Sequence, residues 1–92
     1  MIWIVVFFFT IECRLERSGY TYKGTLSTTR SGATCQAWDA DYPHQHSKVV
    51  NPKFGDPKNH CRSPDKQAVS PWCYTLREDI RWDYCDVPFC RK

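Results

Sequence analysis

Six cysteines in 92 residues constrain this chain more than any other feature. A domain this small buries too little surface for hydrophobic packing alone to hold it comfortably. An even cysteine count in so short a chain reads as a disulfide framework. Such frameworks belong to oxidising compartments, so a secreted or extracellular protein is expected. The competing reading is a zinc site, which requires closely spaced ligand pairs such as C-x2-4-C. Here the cysteines are Cys13, Cys35, Cys61, Cys73, Cys85 and Cys90. Only Cys85 and Cys90 stand close, with no second tight pair and no His-x3-5-His partner. No C-x-x-C redox motif occurs either. The cysteines are therefore read as structural, with no metal and no cofactor implied.

The formal charge of +3 is mild, and basic residues are interspersed with acidic ones. Nucleic-acid binders concentrate Lys and Arg in a patch or stripe. Here only Arg14-Leu-Glu-Arg17 and the basic tail Arg91-Lys92 cluster at all. A nucleic-acid partner is not expected, and binding to anionic polysaccharide has little support.

Residues 2–11 form the one continuous apolar run. It is about half the ~20 residues that a membrane-spanning helix needs, so no membrane span is expected. Its length suits the apolar core of a secretory signal, although no Lys or Arg precedes it and no small-x-small cleavage site follows it. Residues 1–12 are read as a signal-like leader or fragment end, outside the folded domain.

Beyond Cys13 the six prolines, at 43, 52, 57, 64, 71 and 88, interrupt any helical pattern, because proline lacks the backbone donor a helix needs. Tyr20-Thr-Tyr-Lys-Gly24 alternates weakly, and Trp72-Cys-Tyr-Thr75 and Arg81-Trp-Asp-Tyr-Cys85 have strand-like composition. The expected fold is small and disulfide-rich, mostly loops, with a few short antiparallel strands and almost no helix. The cysteine-bearing part also carries ten aromatic residues, from Tyr20 to Phe89. Packed around cystines, a few such rings can supply most of a core.

The cysteine intervals are 22, 26, 12, 12 and 5. Between them stand Tyr22-Lys-Gly-Thr25, Ser27-Thr-Thr-Arg-Ser-Gly32, Cys35-Gln-Ala-Trp38 and Pro43-His-Gln-His46. Then follow Cys61-Arg-Ser-Pro-Asp65, Pro71-Trp-Cys-Tyr-Thr75, Arg81-Trp-Asp-Tyr-Cys85 and Cys85-Asp-Val-Pro-Phe-Cys90. In order and spacing this series resembles the kringle family over residues 13–90. Six cysteines allow fifteen pairings; the resemblance implies Cys13–Cys90, Cys35–Cys73 and Cys61–Cys85. It also implies a non-catalytic extracellular module.

Many kringles hold ligands resembling a C-terminal lysine. An anionic pair meets the ammonium, aromatic rings line the methylene chain, and cations meet the carboxylate. Carried over by resemblance, the rings of this trough are Trp72, Tyr74 and Trp82, and the cations are Arg81 and Lys48. An arginine suits the carboxylate end because its planar fork offers two parallel hydrogen bonds. The anionic end departs from the pattern. Strong lysine binders carry Asp-x-Asp or Asp-x-Glu, whereas this chain has Asp65-Lys-Gln67. Asp65 would meet an ammonium with help only from the Gln67 carbonyl. Losing one charge-assisted hydrogen bond costs about 1.5–3 kcal/mol, roughly ten- to a hundredfold in affinity. Weak or absent lysine binding is expected.

The same residues have a structural reading. Trp72 and Tyr84 flank cysteines and would serve as core, and Arg81 would pair with Asp65 or Asp83 on a solvated face. His44 and His46, two apart, are read as packing and hydrogen-bonding parts of the kringle pattern, not as metal ligands. No Gly-x-Ser-x-Gly, His-Glu-x-x-His or phosphate-binding loop is present, and no catalysis is expected. Two functions remain: a module that docks an extracellular protein through the degenerate trough, with lysine side chains or a C-terminal lysine as candidate contacts, or a structural spacer within a larger extracellular protein or receptor ectodomain.

Overall fold

In the computed structural model, which describes residues 12–66 and 68–91, every cysteine is paired. The links are Cys13–Cys90, Cys35–Cys73 and Cys61–Cys85, spanning 77, 38 and 24 residues, the pairing the resemblance implies. Sulfurs committed to cystines are not thiolates, so the four central cysteines, although within 4.8 Å of one another, offer no metal site. The apolar run 2–11 lies outside the described residues.

The Cys35–Cys73 and Cys61–Cys85 cystines touch, with Cys35 and Cys61 Sγ 3.8 Å apart. Their four cysteines are at most 1% exposed, and Tyr22, Trp38, Val50, Trp72, Tyr74 and Val87 pack around them. Two crossed links thus take the place of a large aliphatic core. The Cys13–Cys90 link closes the ends of the domain, beside a parallel bridge between Arg14 and Phe89.

Regular structure is sparse. Strand β1, Trp72–Tyr74, pairs antiparallel with strand β2, Trp82–Tyr84, in the register Trp72↔Tyr84, Cys73↔Asp83 and Tyr74↔Trp82. Among the described residues a single 3-10 turn covers Pro52–Phe54, capped by the Asn51 side chain. Elsewhere among the described residues the chain is turns and isolated bridges. No helix there is long and apolar enough to cross a membrane.

The weak alternation at Tyr20–Gly24 does not become a strand. The chain turns at Gly19, whose φ of +71° suits glycine, and Tyr22 N–H donates to the Gly19 carbonyl at 2.9 Å. A Cβ at Gly19 would also collide with the Pro71 ring. Tyr22 is drawn inward instead, 2% exposed, where its hydroxyl donates to Glu12 at 2.9 Å and accepts from the Leu26 N–H at 3.2 Å. Burial is the main cause that pushes this phenol up to about 12.

Loops are fixed by buried polar side chains, as a domain with few ladders requires. Gln36, 1% exposed, donates to the Ala40 and His44 carbonyls and accepts from the His44 N–H, each at 2.9 Å. Trp38 Nε1–H donates to the His60 carbonyl at 2.7 Å. Arg62, 2% exposed, donates to the Gly24 and Cys61 carbonyls at 2.8 and 2.7 Å and lies against the Tyr22 ring.

Candidate binding cleft

Successive strand residues face opposite sides, so residues two apart share a face. In β1 and β2 this places Trp72, Tyr74, Trp82 and Tyr84 together and sends Cys73 and Asp83 the other way. The rings meet edge to face, with centroids 5.1 Å apart for Trp72–Tyr74, 5.8 Å for Trp72–Trp82 and 5.1 Å for Trp82–Tyr84. Aromatic pairs favour this geometry.

Behind them Trp38 packs on Trp72 at 5.2 Å and on Tyr74 at 5.9 Å. His46 stacks on Tyr74 at 4.3 Å, and its Nδ1 accepts the Lys48 backbone N–H at 3.0 Å. His44 donates from Nε2 to the Arg77 carbonyl at 2.7 Å. Both histidines therefore pack and hydrogen-bond, the role expected of the Pro-His-x-His stretch. Exposure decides what each ring can offer. Trp72 and Tyr74 are 8% and 6% exposed, whereas Trp82 is 45% exposed. The first two form a floor and Trp82 a wall.

The loop between the strands is organised by Thr75, which is fully buried. Its hydroxyl accepts from the Arg77 N–H at 3.1 Å and donates to the Ile80 carbonyl. Its backbone N–H donates to the Arg81 carbonyl at 3.2 Å. Arg81 leaves this loop with Cζ 5.2 Å from the centre of the Tyr74 ring, and its Nη2 donates to the Gln45 carbonyl at 2.9 Å.

These side chains line an open cleft of about 370 Å³ formed by Lys48, Asp65, Ala68, Trp72, Tyr74, Arg81, Trp82 and Tyr84. Six of the seven residues carried over by resemblance thus converge on one cavity; the seventh, Gln67, lies outside the described residues. Ala68 and Tyr84 line it as well. Tyr84 was legible as its strand neighbour, two residues from Trp82, whereas Ala68 carries no chemical signal.

The charges are arranged differently from the sequence reading. Arg81 pairs with neither Asp65 nor Asp83. Asp83 is held by Arg30 at 3.1 Å, and Asp65 Oδ2 lies 3.5 Å from Lys48 Nζ. Lys48, assigned by resemblance to the carboxylate end, pairs with the acidic side chain of the cleft. Lys66 lies instead over the Tyr20 ring, 5.0 Å from its centre.

A family model described as "Kringle domain" matches residues 13–90. The human "Putative apolipoprotein(a)-like protein 2" is 47% identical over 81 residues, covering 86% of this chain. The chain spans only 60% of that relative's length. With its cystines paired as the family pattern implies, the chain belongs to the kringle family, whose domains are non-catalytic modules that generally bind proteins within extracellular proteins.

Proposed function

We propose that this chain is a non-catalytic, extracellular protein-binding module that docks its partner through the aromatic cleft. In this reading the cleft is a degenerate form of a lysine-type trough, with only weak binding of lysine-type ligands. The observation that carries the proposal is the convergence of Trp72, Tyr74 and Trp82 with Lys48, Asp65 and Arg81 on one open cavity. Exposed aromatic surface of this kind marks contact sites, and the half-exposed Trp82 supports it. The sequence supports the weakness of lysine binding, because Gln67 removes the second anion.

The burial of Trp72 and Tyr74 favours a second reading, in which the rings serve only as core and the domain is a spacer in a larger extracellular protein. One titration separates the two. The refolded domain is titrated with 6-aminohexanoic acid, and binding is read by calorimetry and tryptophan fluorescence. The trough reading predicts saturable binding, at millimolar ligand or weaker, that weakens at least about tenfold in Trp82→Ala. Binding unchanged by Trp82→Ala would place the contact elsewhere. A Gln67→Asp variant is expected to gain roughly tenfold by restoring the missing anion; no gain in that variant would count against the trough.

A further inference from the structure

The acidic end of the cleft already has a cation, and it is the protein's own. We infer that the cleft selects an acidic group on an apolar stem, in the form of a C-terminal carboxylate next to an apolar side chain, over a lysine-type zwitterion. This inference rests on the reading of the cleft as a binding trough and names the ligand class that it takes.

Three observations carry it. Lys48 Nζ stands 3.5 Å from Asp65 Oδ2, where a ligand ammonium would have to sit. Arg81 is anchored by one nitrogen to the Gln45 carbonyl and lies over Tyr74, yet none of the ion pairs among the described residues gives it a carboxylate. The cleft lining therefore carries Lys48 and Arg81 against Asp65 alone, an excess of positive charge over an aromatic floor.

The two ends consequently treat a ligand differently. An incoming ammonium must displace Lys48 from Asp65, exchanging one exposed ion pair for another in a cleft that is already cationic. Such exchange yields little, since exposed pairs are individually weak and screened by salt. An incoming carboxylate displaces only solvent from Arg81, where charge-assisted hydrogen bonds to a planar fork are strong and directional. The stem lies on Trp72 and Trp82 in either case. Lysine's ammonium is then a group without a place, and an apolar side chain beside the carboxylate fills the same aromatic surface.

The test compares three six-carbon probes on the intact chain by calorimetry: hexanoate, 6-aminohexanoate and hexylamine. Hexanoate is expected to bind about threefold more tightly than 6-aminohexanoate, and hexylamine about tenfold more weakly than hexanoate. A short peptide ending in leucine is expected to bind with a free C-terminus and to lose at least about tenfold when amidated. An internal glutamate in an otherwise amidated peptide serves as the other source of a carboxylate, and equal binding there would overturn the C-terminal assignment. Lys48→Met, a change at an exposed side chain, is expected to raise hexylamine binding about threefold. Binding of 6-aminohexanoate equal to or tighter than that of hexanoate, or a loss of 6-aminohexanoate binding in Lys48→Met, would overturn the inference while leaving the trough intact. Silence toward all probes, or binding indifferent to Trp82→Ala, would overturn the trough and the inference together.

Discussion

His60 shows how one side chain ties the fold to solution conditions. Its Nδ1 is 2.9 Å from the Ser27 hydroxyl, and its carbonyl holds the Trp38 indole. Burial, followed by the charges of Arg62 and Lys58, pushes its imidazole below the usual histidine range. The folded state therefore binds this proton less readily than the unfolded chain. The contribution of His60 is full above the unfolded value of about 6.5 and is lost as pH falls through the lower folded value. Urea midpoints measured at pH 7.5 and pH 5 should show a loss of stability in acid that His60→Gln reduces. An equal loss in that variant would contradict the assignment. The same neighbourhood marks where sequence reading stops at single residues. Arg62 stood only as part of Cys61-Arg-Ser-Pro-Asp65, and nothing in that string announces a cation that is 2% exposed beneath Tyr22. Its burial is matched by a carbonyl from a loop nearly forty residues away, at Gly24.

At the scale of elements, the aromatic ribbon was legible because Trp72-Cys-Tyr-Thr75 and Arg81-Trp-Asp-Tyr-Cys85 have strand-like composition. Alternation alone was insufficient at Tyr20–Gly24, where a glycine turn and a side-chain hydrogen bond took the place of a ladder. The pairing of Lys48 with Asp65 was not legible either, since it depends on how two irregular loops come together across the cleft. Thr75 is the residue on which the ribbon's own loop depends. Thr75→Val keeps the shape but leaves the Arg77 amide and the Ile80 carbonyl without this partner. The expected cost is about 1–3 kcal/mol, measured as a lower urea midpoint with an unchanged slope. A midpoint equal to that of the parent would show that the loop holds itself without the hydroxyl.

For the whole molecule the cystines set both stability and order of failure. The chain-entropy estimate puts each link at about 3–5 kcal/mol, a large part of the ~5–15 kcal/mol typical of a domain. The central pairs are at most 1% exposed, whereas Cys13 and Cys90 are partly exposed. Limited reduction followed by alkylation should therefore label Cys13 and Cys90 well before the other four, read by peptide mass mapping; simultaneous labelling of all six would contradict that order. Cysteine count alone indicated the disulfide-rich class and gave an oxidising compartment as the expectation. The choice of one pairing among fifteen came from the motifs between the cysteines, because covalent topology is a property of the folded chain that spacing cannot supply. The central claim, that the aromatic cleft is the binding face, is tested most directly by a chemical-shift map of the isotopically labelled domain titrated with hexanoate and 6-aminohexanoate. The account predicts shifts concentrated on Trp72, Tyr74, Arg81, Trp82 and Tyr84, with Trp38, locked to His60, moving less than Trp82. Shifts centred away from β1 and β2, or none at all, would contradict it.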